Sequence, residues 1–565
     1  MDLVIFEDNK PFVLKALQNG DFDYMEAANE VVEADFFRFI KAGALLDELA
    51  QSYPRPRKKQ EVPFWFYVAS NLSMRLHGVH AFDAFPLVVR SGGMLQAVGA
   101  GRKLIHPHTG DTTIVCKGFN RKNHYDRQSP CDPDYLRKMA KDTDAQELMR
   151  WFGADGMRIF RRRRAFDREG IFIGDASYLF VPDNPRYEGS VKLQFDEHGH
   201  PISQEQYRRL SDDQKSRCQW RRCYKMVTLL HTNVALDFFL FVAVRVLPGN
   251  AHECPVLYAL VEEFVQAVGK GVMKRLILDR GFLDGQAISQ CKEQYGIDIL
   301  IPIRRNMDIY ADAIALFQDA EVKWVDCHGL SACGTAQAGP STQRPAAARK
   351  RPRGISKREQ KRQQTLQRLK LQQPPVAPEK ILIKKQAAAI GEFRSWSSCS
   401  VPLSVVANRE QYADGHQDIW FLIDTQAVKD PERVQQDYHL RVSIEERYRQ
   451  LKCFSDLTRF TSRAFSLVVN QVVFIMLAYN LLQIYLLHRG RKELNHKTLP
   501  HIRQQLLPSD SHIIVYYQNY YGLFAPFELI GLVVGLSEQA RKKIAAKCHR
   551  MGRELSGALK NPRPP

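Results

Sequence analysis

The spacing of apolar and polar positions changes character near residue 165. Residues 1–165 carry mostly helical spacing, interrupted at "YPRPRKKQEVP" (53–63), where prolines and charges read as a linker. From residue 170 the period shortens. "GIFIGDASYLFV" (170–181) is a β-rich run, and "YKMVTLLHTN" (224–233) and "DFFLFVAVRVLP" (237–248) are two more. Their short connection predicts an antiparallel pair. "CPVLYALVEEFVQAVG" (254–269) returns to helical spacing, followed by a short strand in "RLILDRG" (275–281), a helix in "GQAISQCKEQYG" (285–296) and a strand in "DILIPIR" (298–304). A strand meander followed by alternating strand and helix predicts an α/β fold, a mixed sheet with helices on its faces.

Residues 305–425 break that rhythm. "KILIKKQ", "SVPLSVVANRE" and "DIWFLIDT" read as strands, and the stretch 334–378 is rich in Ala, Pro, Gln, Lys and Arg. This predicts a β-rich insertion carrying a disordered basic loop. Asp430-Pro431 then reads as an N-cap and first helical position, opening a helix that runs through "YHLRVSIEERYRQLK" (438–452). At about 100° per residue, Tyr438, Arg441, Glu445 and Lys452 fall within a strip about 60° wide. Leu440, Ile444, Tyr448 and Leu451 form an adjacent apolar stripe, and Arg447 is expected to be exposed. The segment "AFSLVVNQVVFIMLAYNLLQIYLL" (464–487) is long enough to cross a membrane. Its two Asn and two Gln, with no second span beside it, favour a buried helix instead. Residues 491–565 read as a helical C-terminal region, which leaves 166–304 and 426–490 as two parts of one core.

Charge narrows the partner. The net charge is +19, and residues 344–370 alone hold eleven Lys or Arg against one Glu. That imbalance points to a polyanion, either nucleic acid or an anionic membrane surface. Eleven cysteines without framework spacing fit a reducing cytoplasm, and the acidic opening "MDLVIFEDNK" does not read as a signal peptide. His106, His108, Cys116, His124 and Cys131 match no compact metal-ligand spacing.

Three acids are candidates for chemistry. Asp175 and Asp279 sit at or near the ends of apolar strands, where ligands gather in such sheets. Asp284 reads as a helix cap, and Asp183, in a Pro-flanked turn, competes with Asp175. Glu445 offers a third carboxylate from a packed helix; its neighbour Glu446 projects about 100° further round. Three carboxylates suit Mg²⁺ or Mn²⁺, and two such ions can clamp the attacking and leaving oxygens of a phosphodiester.

Tyr438, Arg441, Glu445 and Lys452 match, at every spacing, the pattern Tyr-x-x-Arg-x-x-x-Glu-x-x-x-x-x-x-Lys. "IFIGDASY" and "LILDRGF" resemble the first-Asp and second-Asp strands that accompany it. On these motifs residues 170–490 resemble the bacterial insertion-sequence transposases of the Asp-Asp-Glu type. The resemblance implies a ribonuclease H-like fold with a β-rich insertion. It implies Asp175, Asp279 and Glu445 as ligands of two Mg²⁺ or Mn²⁺ ions, and Tyr438, Arg441, Arg449 and Lys452 on DNA phosphates. It also implies a homodimer pairing two element ends in the bacterial cytoplasm, at the nucleoid. Relatives that pass through a DNA hairpin flip a base onto an aromatic residue, and Trp324 and Trp396 are the residues to consider. Two alternatives stand beside this reading: a non-catalytic DNA-binding derivative, and a ribonuclease H-like nuclease that cuts without joining.

Overall fold

In the computed structural model the described residues are 2–56 apart from 6 and 29, 64–85 and 88, 103–105, 112–117, 132–319, 322–327, 382–499 apart from 496, 502, and 512–560 apart from 519. The basic loop, and the His and Cys cluster of 101–133 save Cys116, lie outside them. The chain divides into two compact units, residues 1–301 with 439–565, and residues 302–438.

The first unit is built on a sheet of β1 (Ile171–Val181), β2 (Gln219–Asn233), β3 (Phe238–Pro248), β4 (Arg275–Leu278) and β5 (Asp298–Pro302). β1 pairs antiparallel with β2 and β2 with β3, while β4 runs parallel to both β1 and β5. The spatial order is β3-β2-β1-β4-β5, as expected of a ribonuclease H-like sheet. Each parallel step follows a helix. α1 (Glu253–Val268) carries the chain from β3 to β4 and buries Leu257, Leu260, Val261 and Phe264. Alternation along β1 gives the sheet its two sides. Phe172 faces α1, its ring 5.1 Å from that of Phe264. Gly174 lies on the same side, and a Cβ there would come within 2.6 Å of Leu278 and 2.9 Å of Leu257. Any larger residue here would have to displace both leucine side chains.

α3 (Val442–Phe454) and α4 (Phe465–His488) cover the other side. α4 is the one described helix long and apolar enough to cross a membrane, and 83% of its most apolar window is buried inside the fold. Its four amides explain themselves locally. Asn480 accepts from the Phe241 N–H (2.9 Å) and donates to the Phe241 carbonyl (2.7 Å). The ladder between β2 and β3 slips by one residue at this point, a bulge between Leu229 and Leu230, so the amide meets backbone groups that the sheet leaves over. Asn470 donates to the Tyr67 hydroxyl, Gln471 to the Asp456 and Arg459 carbonyls, and Gln483 to that of Asn495.

The flanking regions contain strands that the helical spacing concealed. Tyr24–Ala28 pairs with His512–Tyr517, which pairs with Tyr520–Phe524, and Glu7–Asp8 joins the far edge. α5 (Pro526–Gly535) and α6 (Glu538–Lys560) follow. Asp2–Ile5 and Lys103–Ile105 flank Thr112–Lys117 in a second small sheet. The second unit is a meander of β6 (Leu382–Phe393), β7 (Leu403–Tyr412) and β8 (Gln417–Asp424), with a helix at Asp308–Asp319 and α2 (Pro431–His439).

The single helix expected over 430–452 is two helices. α2 ends at His439 and α3 begins at Val442. Ser443 N–H bonds to the Leu440 carbonyl and Ile444 N–H to that of Arg441. These i→i+3 bonds tighten one turn and end the continuous α-helical ladder. Tyr438 therefore lies on α2 in the second unit, where its ring is 5.9 Å from that of Trp420, and the four-residue strip on one helix does not exist.

Candidate active site

Register builds the site. Leu278 of β4 stands opposite Gly174 of β1. The next residue on each strand is an aspartate, so Asp279 leaves its strand end directly beside Asp175. Neighbouring strands are about 4.8 Å apart. Asp279 accepts a hydrogen bond from the Arg280 N–H at 2.8 Å. Asp175 is held in mid-strand, and burial pushes its carboxyl up to about 7. The charges of Asp279 and Glu445 add to that rise, while the Ala176 N–H and Arg441 oppose it. These four side chains thus share one electrostatic neighbourhood.

α3 is fixed to β1 and β2 at two points one turn apart. Tyr448 is buried with its ring 6.3 Å from Phe241. Its hydroxyl lies 2.6 Å from the Thr228 hydroxyl and donates to the Asp175 carbonyl at 3.1 Å. Burial, with Asp175 and Glu445 nearby, raises that phenol well above its ordinary value. Lys452 donates to the Ser177 hydroxyl at 2.7 Å. Burial lowers its ammonium pKa, and Asp175 partly offsets this. Ser177 and Asp175 point to the same side of β1, two residues apart. Ile444, Tyr448 and Leu451 are the buried stripe of α3, as the spacing predicts. Glu445, one turn before Tyr448, is half exposed and bonded to Arg441 at 2.6 Å.

The other candidates sort by their partners. Asp183 is an exposed residue bridged to Lys192 and Arg222, far from the role of a strand-end acid. Asp284 caps its helix, accepting from the Ala287 N–H at 3.1 Å. Arg449 is paired with Glu446 at 2.7 Å, which holds the Glu446 carboxyl below its usual range. Trp324 is covered by the Arg409 guanidinium, 4.0 Å from its ring, and Trp396 is half-buried. Arg447, expected in solvent, is buried with its guanidinium 4.5 Å over the Phe239 ring. Sequence reasoning also passed over Thr228, Ser177 and the hydroxyl of Tyr448. The signal was there: Tyr448 and Lys452 are four apart on a helix, and Asp175 and Ser177 two apart on a strand.

Among the described residues no three His, Cys, Asp or Glu side chains stand close enough to hold a metal ion as they are. Glu445 is engaged by Arg441 instead. The donor set nonetheless suits a hard divalent cation, being carboxylate oxygen throughout. The raised Asp175 carboxyl is the kind of group such a charge would relieve.

The sheet order and the helices on its faces are those of a ribonuclease H-like domain, and Asp175 in mid-strand stands beside Asp279 at the end of the neighbouring strand. A family model described as a transposase DDE domain matches residues 170–481, more than half of the chain, and the chain belongs to that family. Its members generally use divalent metal ions and act on DNA. No curated protein matches the chain.

Proposed function

We propose that this protein is a DNA transposase that cuts at the ends of its element and joins the freed ends to target DNA. In this reading Asp175, Asp279 and Glu445 bind two Mg²⁺ or Mn²⁺ ions, which supply charge neutralisation and an activated water. Water attacks the phosphorus at the element's end, the bond to the 3′ oxygen breaks, and that oxygen leaves as a hydroxyl. The hydroxyl then attacks a target phosphodiester, whose own 3′ oxygen departs. Lys452, docked on Ser177 beside Asp175, holds the phosphate of the bound strand. Arg441 would exchange Glu445 for a phosphate, leaving the carboxylate available as a ligand. Tyr438 and Arg449 contact the backbone further along. The match to the Tyr-Arg-Glu-Lys pattern supports this assignment of roles. Two copies pair two element ends, in the cytoplasm of a bacterium at its nucleoid.

The observation that carries the reading is the register of Leu278 with Gly174, which sets two aspartates side by side where the parallel ladder of β1 and β4 ends. A strand-transfer assay with Mg²⁺ and end-containing DNA tests it. Asp175→Asn, Asp279→Asn and Glu445→Gln should each abolish cleavage and joining while end binding holds or tightens, because negative charge near phosphates is removed. Arg441→Ala and Lys452→Ala should lose both affinity and rate. The exposed Arg459 replaces Arg447 as the control cation, since Arg447 is buried. Cleavage without joining would leave a nuclease, and binding without cleavage a DNA-binding derivative.

A further inference from the structure

Two arginines are buried without an acid. Arg75, on the helix Phe64–Leu76, is 3% exposed, and Arg447, on α3, is 4% exposed. Arg75 donates to the Val79 carbonyl at 3.1 Å and to a ring nitrogen of His80 at 2.9 Å, and its Nε bonds to nothing. Burial pushes His80 down to about 3, so that partner is neutral. Burial also lowers Arg75, to about 10, which leaves it charged at neutral pH. Arg447 lies over Phe239 and against Tyr479. The acid beside it in the chain, Glu446, is held by Arg449. Among the described residues no carboxylate pairs with Arg75 or Arg447. Both arginines belong to the surroundings of one cavity of about 30 Å³ between α3, α4 and the helix Phe64–Leu76. Arg75, Gln450, Tyr479, Gln483 and Lys497 line it among mainly apolar side chains, so that its described wall holds two cations and no acid. Arg447 shares a side of α3 with Gln450, three residues on, and touches the wall at Tyr479.

We infer that this cavity binds a small monovalent anion, of the size of chloride or formate. Water there satisfies hydrogen bonds but supplies no charge, and a buried ion left without a counter-charge is costly. Arginine does not escape that cost by giving up its proton. The size fits. A single water needs about 10–15 Å³ on the same measure, so the space is that of about two waters or one such anion. Lys497 is exposed and marks the open side. A phosphate carried on a DNA strand is too large to enter. An anion in this place ties α3, which carries Glu445 and Lys452, to α4 and to the helix Phe64–Leu76. The site goes beyond the reading above, and its test needs neither DNA nor a divalent metal.

Thermal melting of the full chain tests this at fixed pH and ionic strength, with sodium chloride or formate exchanged for sodium gluconate, whose anion is too large for the cavity. Above the dissociation constant, the melting temperature of the wild type should rise by about 3 °C for each tenfold rise in the small anion. Arg75→Met should abolish that response. In gluconate it should melt at or above the wild type, because an uncompensated buried charge has gone; a merely structural arginine would not give that result. Lys497→Glu changes an exposed residue and brings a carboxylate to the open side, so it should raise the dissociation constant of the anion about tenfold or more. Lys542→Ala, an exposed cation on α6, should respond as the wild type does. Equal melting in chloride, formate and gluconate overturns the inference. A response that persists in Arg75→Met, or that is undiminished in Lys497→Glu should Arg75→Met not fold, is a general salt effect and overturns it too.

Discussion

Asp175 makes the metal-free fold pH-sensitive in an unusual direction. Its carboxyl titrates near 3.8 in an unfolded chain and at about 7 in this structure, raised chiefly by burial. Below the lower value both states hold the proton and the group costs nothing. As pH rises from there the unfolded chain gives up its proton freely while the folded one cannot. Stability therefore falls until pH passes the folded value, and is flat beyond it. The span is about three pH units, at about 1.36 kcal/mol each, so the cost approaches ~4 kcal/mol at pH 8. Asn does not titrate. The test compares melting of wild type and Asp175→Asn in a chelator from pH 5 to pH 8. Carboxylates away from this cluster affect both proteins alike, so the difference isolates Asp175 with its two acidic neighbours. The variant should gain on the wild type as pH rises, reaching a lead of roughly 8 °C at about 2 °C per kcal/mol. Adding Mg²⁺ at pH 8 should raise the melting temperature of the wild type and not that of the variant, with protons released on binding near pH 6.5. A constant gap across the pH range, or a variant less stable at pH 8, would refute the buried, crowded setting assigned to Asp175.

Three further expectations concern other parts of the chain. Tyr448→Phe leaves the buried Thr228 hydroxyl without its partner and should cost about 1–3 kcal/mol and slow cleavage, whereas adding Thr228→Val should recover most of the stability; hydrogen exchange in β1 and β2 reads the cycle, and strict additivity would mean the two hydroxyls are not coupled. Asn480→Leu removes the amide that serves Phe241 at the bulge, and should cost about 2–5 kcal/mol by stranding two buried backbone groups; an unchanged melt would mean water takes its place. Deleting 340–375 should weaken binding to all DNA sequences and flatten its salt dependence by about 0.9 in log–log slope for each phosphate the loop no longer neutralises; an unchanged slope would mean the loop does not touch DNA.

The core was legible because its signals are local. Period two in "IFIGDASY" and the short run "LILDRG" place each aspartate on its strand, and the sheet needs only those runs in order. The site was legible in part for the same reason: Glu445 and Lys452 sit on one helix, so their spacing is geometry. What failed was non-local. Arg447 was assigned to solvent from a single apolar stripe, but Phe239 of β3 and Tyr479 of α4 both meet its side chain. The break before α3 has no Gly or Pro to announce it; two i→i+3 bonds make it, and nothing in the residue types requires them. Tyr24–Ala28 is short and finds its partner nearly the whole chain away, where no window of sequence can look.

That last pairing has a consequence for how the protein is made. Tyr24–Ala28 precedes the family's domain in the chain, yet the strand it pairs with, His512–Tyr517, follows that domain. Until that strand is made, both edges of the early strand are unpaired. The entropy of closing so long a loop grows only slowly with length, so separation costs time more than stability. A chain cut short after α4 can carry all three acids and still lack the piece that closes its beginning. Synthesis of this distant strand, rather than of the candidate site, is what lets the small sheet form, and an unpaired strand edge is a target for proteolysis and for wrong partners.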